Sequence, residues 1–186
     1  MRLSLRRWRL LWLFCLAFQA YGEDYGFSIL RAHLQPAGDD YVLDADIDYR
    51  FNPPALDALE NGVPLTLAMN LSIRRQREFW LDDIIVNEQR HILVRYHPLA
   101  KSFQIVDQKT DAIQNFASLS ALLDALGRIR NWRITPANRL NAAETYQARL
   151  SVDLDIESLP LPLRVVAYLS PDWYLQSPNF EWRFEP

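Results

Sequence analysis

The chain has 186 residues, of which 49% are hydrophobic, 20 are lysine or arginine and 23 are aspartate or glutamate. This length and hydrophobic content are enough for one domain with a substantial core. The single cysteine, Cys15, excludes an internal disulfide framework, and it excludes a zinc site built on several thiolates.

The first 22 residues match a secretory signal peptide. Four arginines fall within the first nine residues, and an uncharged apolar run, residues 10–18, follows them. The run is about half of the ~20 residues that a membrane-spanning helix needs, so cleavage is favoured over retention as an anchor. Ala20-Tyr21-Gly22 satisfies the small-x-small rule and predicts a mature chain from Glu23. Trp12-Leu13-Phe14 ahead of Cys15 lacks the small residues of a lipoprotein signal, so we expect no lipidation.

Removal of this segment leaves an acidic domain, residues 23–186. Without its four arginines, 16 basic residues remain against 23 acidic ones, a formal charge of −7. Surfaces for nucleic acid or anionic membranes rely on clustered lysine and arginine, so neither partner is expected, and membrane contact is limited to the signal before cleavage. We predict a periplasmic domain, which lacks ready access to ATP and NADH and therefore has no cofactor.

Alternating apolar and polar residues predict most elements of this domain as strands. A turn cluster at residues 36–40 joins the first two strands into a hairpin. Asn52 and Pro53-Pro54 predict the cap and first turn of a short helix over residues 54–61, which Gly62 closes. The strands predicted in this first half are residues 27–34, 41–51, 63–77, 84–96 and 102–106.

The second half contains one predicted helix among further strands. Ser118 is its N-cap, and its apolar stripe consists of Leu119, Leu122, Leu123, Leu126 and Ile129. The strands predicted after it are residues 146–157, 163–169 and 179–184. Seven or eight strands with two short helices indicate a mainly β fold, an antiparallel two-sheet sandwich that is immunoglobulin-like in architecture.

Several short segments share their order and spacing with one bacterial family. They are residues 41–46, 53–56, 61–65, 95–99, 116–119 and 125–128, then Trp132-Arg133, Asp172-Trp173 and Trp182. From about residue 26 to its end, the chain resembles the exported proteins grouped as domain of unknown function DUF4390. The resemblance implies a proteobacterial cell-envelope protein without an established activity. It also implies an association with a sensor histidine kinase of the nitrogen-regulation type, beside which such proteins are often encoded.

Aromatic residues provide the candidate surface for a partner or ligand. We select Trp132, Trp173 and Trp182, together with Arg95-Tyr96-His97 at the end of a predicted strand. Tryptophan and tyrosine are enriched at binding hot spots. Core packing is the alternative, because a domain without disulfides must bury its large side chains. For His97 the alternative is a polar group that only ends its strand.

A metal site and a catalytic site both lack a specific motif. Asp44, Asp46 and Asp48 resemble the start of a calcium-binding loop. Tyr49 occupies the glycine position of such a loop and Ala55 its final glutamate position, so a solvated strand face is favoured. The sequence contains no Gly-x-Ser-x-Gly, no His-Glu-x-x-His and no phosphate-binding glycine loop. We therefore predict no catalytic residues and no enzyme activity.

These observations predict a non-enzymatic protein-interaction module of the cell envelope. Its partner would be another envelope protein, such as the ectodomain of a sensor kinase. The alternative is a protein that binds a small ligand or a metal such as calcium, and an enzyme comes third. A flat sheet with exposed tryptophans would favour the first function, whereas a deep pocket lined by polar side chains would favour the second.

Overall fold

Two antiparallel sheets make up most of the protein, which is known from a computed structural model that describes residues 25–75 and 83–186. The predicted signal peptide lies outside these residues. The strands are β1 (Gly26–Ala37), β2 (Asp40–Arg50), β3 (Leu65–Arg75), β4 (Asp83–His97), β5 (Ser102–Asp107), β6 (Ile113–Phe116), β7 (Arg128–Pro136), β8 (Tyr146–Leu154) and β9 (Phe180–Phe184). The α-helices are α1 (Pro53–Glu60), α2 (Leu119–Leu126) and α3 (Leu161–Leu169), and three 3-10 turns are Ala137–Arg139, Ile156–Ser158 and Pro171–Trp173.

The smaller sheet has the strand order β1-β2-β7, and the larger has the order β6-β5-β4-β3-β8-β9. Every pairing within them is antiparallel, and the prediction of a mainly β, antiparallel fold is confirmed. Both sheets contribute to one core, and alternate residues of β2, β5 and β8 turn their side chains toward it. Core members from the smaller sheet include Leu43, Ile47 and Tyr49, and those from the larger include Leu67, Leu71, Leu150 and Val152.

The predicted hairpin and first helix are confirmed, with small differences at their ends. β1 and β2 pair from Gly26 and Arg50 to Ala37 and Asp40. Helix α1 begins after Asn52, whose side-chain oxygen accepts the backbone N–H of Ala55 at 3.1 Å. This cap satisfies one of the donors that every helix N-terminus leaves free.

The prediction of a strand over residues 163–169 is wrong, because this segment is helix α3. The described residues therefore contain three α-helices, where the sequence predicted two. Proline stands in the first turn of α3, where its fixed backbone angle suits a helix and its missing N–H costs no hydrogen bond. Leu161, Val165 and Leu169 recur at four-residue spacing, which is a helical period.

The second predicted helix is shorter than its apolar spacing indicated. Helix α2 ends at Leu126, and Ile129 belongs to β7, a strand that the sequence did not predict. A bulge interrupts β7, because Leu43 pairs with Trp132 and Ala45 with Ile129, which leaves two residues of β7 opposite one of β2. The extra residue breaks the alternation that identifies a strand.

Helices α1 and α3 lie at the same end of the two sheets. The side-chain amide of Asn52, the cap of α1, donates to the backbone oxygen of Asp172 at 2.5 Å, just after α3. The backbone N–H of Phe27 donates to the backbone oxygen of Gln176 at 3.3 Å, so β1 also starts at this end. Among the described residues, no helix combines the length and the apolar character needed to cross a membrane.

Candidate functional site

The selected tryptophans do not form one exposed patch. Trp132 and Trp173 are core residues, with 7% and 4% of their surface exposed. Trp182 is half-buried on β9, where its ring lies 5.8 Å from that of Phe180. Tyr174 is the exposed aromatic residue near Trp173. An aromatic surface therefore cannot be centred on Trp132 and Trp173.

The selected residues at the end of β4 lie on another part of the larger sheet. The ring of Tyr96 packs against Phe103 of β5, with their centroids 4.7 Å apart. His97 is the last residue of β4 and pairs with Ser102, which fits the role of a polar group that ends the strand. Arg95 is half-buried beside them, on the opposite face of β4 from Tyr96. These three residues therefore belong to the β4–β5 hairpin.

The acidic face of β2 is occupied by cations from the neighbouring strands. Asp46 accepts hydrogen bonds from Arg31 of β1 and from Arg130 of β7, the latter at 2.5 Å. Asp44 accepts the side-chain amide of Gln35 at 3.0 Å and the backbone N–H of Asn131 at 2.7 Å. Such cross-strand pairs stabilise a sheet.

This arrangement has an electrostatic signature at Asp46 and leaves little room for a metal ion. Arg130 and Arg31 hold the pKa of the Asp46 carboxyl below its usual value, against an opposing effect of burial. The third aspartate of this face, Asp48, is paired with Arg50 at 2.9 Å. In the described part of the chain, no group of three or more histidine, cysteine or acidic residues could hold a metal ion.

Helix α3 presents an apolar surface that the sequence did not predict. Among its nine residues, Ala167 alone is buried. Its exposed large apolar residues, together with Tyr174 just beyond it, are called the α3 face: Leu161, Val165, Val166, Tyr168, Leu169 and Tyr174. Leu161 is 71% exposed and Leu169 is 83% exposed. Monomeric proteins rarely expose contiguous apolar surface of this kind unless it is used for binding.

A groove separates β7 from the β4–β5 part of the larger sheet. Its volume is about 470 Å³, and its floor contains Arg90 and Asp107. The Nε and Nη2 atoms of Arg90 donate to one oxygen of Asp107 at 2.9 and 2.6 Å, and the guanidinium carbon lies 5.6 Å from the ring centroid of Trp132. The backbone N–H of Lys109 donates to the other oxygen of Asp107 at 2.9 Å. Trp132 is thus the one residue of our selection that lines this groove.

A family model described as Domain of unknown function (DUF4390) matches residues 24–183 of the chain. No curated protein and no solved structure matches the chain. The family match covers both sheets, the α3 face and the groove.

Proposed function

The chain belongs to the DUF4390 family of domains of unknown function, and from that premise we propose that it is a non-enzymatic protein-interaction module of the cell envelope. The observation that carries this proposal is the α3 face. Removing apolar surface from water contributes about 25 cal/mol per Å², so a partner that covers these side chains gains binding energy from each of them.

The surroundings of the α3 face indicate the chemistry of its partner. Acidic side chains are exposed on both sides of it, at Glu157 before the helix and at Asp172 after it. Helix α1, which contacts the 3-10 turn after α3, adds the exposed Asp57 and Glu60. Arg164 is the basic residue of α3, and its guanidinium donates to the backbone oxygen of Leu159. The partner surface is therefore apolar at its centre and basic at its rim. A second copy of this chain would bring like charges together.

We also propose that the two sheets form an immunoglobulin-like sandwich of the variable type. In that architecture strands A, B and E lie side by side in one sheet, and strands C″, C′, C, F and G follow each other in the second. The orders β1-β2-β7 and β5-β4-β3-β8-β9 correspond to these two sets. Helices α1 and α3 then occupy the B–C and F–G connections, which carry binding loops in antibody variable domains. This analogy supports the α3 face as a binding surface.

Export to the periplasm by a cleavable signal peptide is part of the proposal. It is supported by the four arginines and the apolar run of the first 18 residues. When the chain is produced in a proteobacterium and recovered from the periplasmic fraction, we expect mass spectrometry to find Glu23 as its first residue. Recovery of chain that still starts at Met1 in the cytoplasmic fraction would contradict export.

The resemblance to proteins encoded beside a sensor kinase makes the ectodomain of such a kinase the first partner to test. Binding of the purified ectodomain to this protein is measured by calorimetry. We expect the double variant Val165→Asp/Leu169→Asp to weaken binding at least ~10-fold, because two apolar contacts at the centre of the interface are lost. Ile113→Asp is the matched control, since Ile113 is a comparably exposed apolar residue on β6, and it should change the affinity less than ~2-fold.

A photocrosslinking residue at position 166 or 113 extends the test to other envelope partners. We expect crosslinked products from position 166 and none from position 113. Equal products from both positions would reject the α3 face as the interface. Self-association that Val165→Asp/Leu169→Asp abolishes would instead identify a second copy as the occupant, and it would overturn the proposed partner.

A further inference from the structure

Strand β7 forms an open edge of the smaller sheet. Within residues 25–75 and 83–186, β2 is the strand that pairs with it. An edge strand presents unpaired backbone N–H and C=O groups, which can pair with an added strand. In the immunoglobulin-like order proposed above, strand D would cover this edge. The corresponding strand here, β6, pairs with β5 in the other sheet.

A continuous groove follows this open edge. Residues 130–133 of β7 line the cavity of about 470 Å³ described above, and residues 128–130 line a second one of about 200 Å³. Arg90 and Arg130 line both cavities, so the two are neighbours. Six strand residues correspond to a length of about 20 Å. The groove is therefore elongated, with a strand edge as one wall.

The lining of the groove is basic although the domain is acidic. Among the described residues that line the larger cavity, Arg90, Lys109, Arg130 and Arg133 are basic and Asp107 alone is acidic. Lys109 and Arg133 are the most accessible of these cations, with 57% and 83% of their side chains exposed, whereas the Arg130 side chain is 44% exposed and pairs with Asp46. Their ion pairs, Lys109 with Glu88 at 2.9 Å and Arg133 with Asp40 at 3.5 Å, are of the exposed kind that contributes little stability. A carboxylate of a ligand can compete for both cations.

The bulge in β7 determines which way the side chains of Arg130 and Arg133 point. Asn131 has a positive φ of 52°, and the carboxylate of Asp44 accepts its backbone N–H. Because the bulge adds one residue, Arg130 and Arg133 are both exposed while Trp132 between them stays in the core. The left-handed conformation of Asn131, which is strained for a residue other than glycine, thus lies at the point where both arginines face outward.

We propose that the open edge of β7 binds an extended acidic peptide segment of a partner protein as a fourth strand of the smaller sheet. Backbone hydrogen bonds to β7 hold the peptide, and Lys109 and Arg133 select carboxylate side chains. The cations are spread along the groove and do not converge on one point, which favours an elongated ligand over a small anion. This surface is separate from the α3 face, so either proposal can fail without the other.

The probe is a fluorescein-labelled octapeptide of alternating glutamate and valine, and its binding to the full chain is followed by fluorescence anisotropy. We expect Lys109→Glu/Arg133→Glu to raise the Kd at least ~10-fold, since both reversals repel the peptide carboxylates. Arg50→Glu/Arg183→Glu changes the net charge equally at exposed sites outside the groove, and it should change the Kd less than ~2-fold. Val165→Asp/Leu169→Asp should leave peptide binding unchanged.

Two N-methylated peptides test backbone pairing with the wild-type protein. Alternate amides of a strand point to opposite sides, so methylation of one alternate set should abolish binding while methylation of the other preserves it. Equal binding of both methylated peptides overturns strand addition, as does an equal effect of the two charge-reversed double variants. Displacement of the peptide by inorganic tripolyphosphate at the peptide's own concentration identifies a small-anion site and also overturns the proposal. Absence of peptide binding at millimolar concentration does the same.

Discussion

Replacing Asp107 with alanine should lower the free energy of unfolding by about 3 kcal/mol, the lower end of the range for breaking a buried ion pair. The Asp107 side chain is 7% exposed, and that of its partner Arg90 is 23% exposed. Without the carboxylate, Arg90 stays largely buried with an uncompensated charge. The backbone N–H groups of Lys109 and Thr110 also lose their acceptor. Urea unfolding followed by circular dichroism measures the change.

Glu88→Ala is the matched control, since Glu88 pairs with the exposed Lys109 next to the same turn. An exposed pair contributes less than about 1 kcal/mol, so this variant should unfold close to the wild type. Equal losses in the two variants would contradict the structural role of Asp107.

The same carboxylate makes stability depend on pH. Burial opposes ionisation of Asp107, but the N–H groups of Lys109 and Thr110 and the guanidinium of Arg90 outweigh it and lower its pKa. A group with a lowered folded-state pKa stabilises the fold above its unfolded pKa of about 3.9, and this contribution is lost as the pH falls through the folded value. Between about pH 5 and pH 2, the wild type should therefore lose more stability than Asp107→Ala does.

Gly127→Ala should cost about 3 kcal/mol, because overpacking and a lost hydrogen bond combine at one position. A Cβ atom at Gly127 would lie 2.4 Å from the backbone oxygen of Ile47. The backbone N–H of Ile47 donates to the oxygen of Gly127 at 2.9 Å, so the backbone segments at Ile47 and Gly127 cannot move apart without breaking this bond. Gly127 has ordinary helical angles, with φ of −71°, and close approach is the reason for glycine here.

Asp124→Ala provides the comparison for this glycine. Asp124 lies in the last turn of the same helix, and its side chain is 73% exposed. Its i,i+4 pair with Arg128 contributes no more than about 0.5 kcal/mol. If the midpoints of urea unfolding fell equally in Gly127→Ala and Asp124→Ala, the close approach to Ile47 would not be what requires glycine.

Strands with one face in the core could be predicted from the sequence, because burial imposes a period of two. In β8 the apolar set Ala148, Leu150, Val152 and Leu154 is buried, and Asp153, between the last two, is on the other face. The same holds for β2, whose three aspartates were expected on an outward face. The identity of their partners could not be predicted, since Arg31 and Arg130 reach Asp46 from strands that are far apart in the chain.

The two surfaces proposed for binding coincide with the elements that the sequence did not predict. Helix α3 is rich in apolar residues, and this composition is typical of a buried strand. Most of these residues are exposed, however, and their spacing is helical. The signal that could have identified it is the proline at its start together with the period of four. In β7 the bulge at Asn131 interrupts the alternation. Arg90 and Asp107 give no local signal at all, because they meet only after β4 and β5 have paired.

The hydrogen bond between Phe27 and Gln176 places the start of β1 next to the segment that follows α3. The terminus through which the domain is attached to a surface therefore decides which way the α3 face points. The chain enters β1 beside the α3 face, whereas Phe184, near the C-terminus, packs on Tyr41 next to the hairpin turn at the far end of the sheets. A tether attached ahead of Tyr25 therefore holds the α3 face toward the anchoring point, and a tether after Pro186 holds it away. Proteins immobilised through the N-terminal and the C-terminal tether would therefore present opposite ends of the two sheets to the same partner.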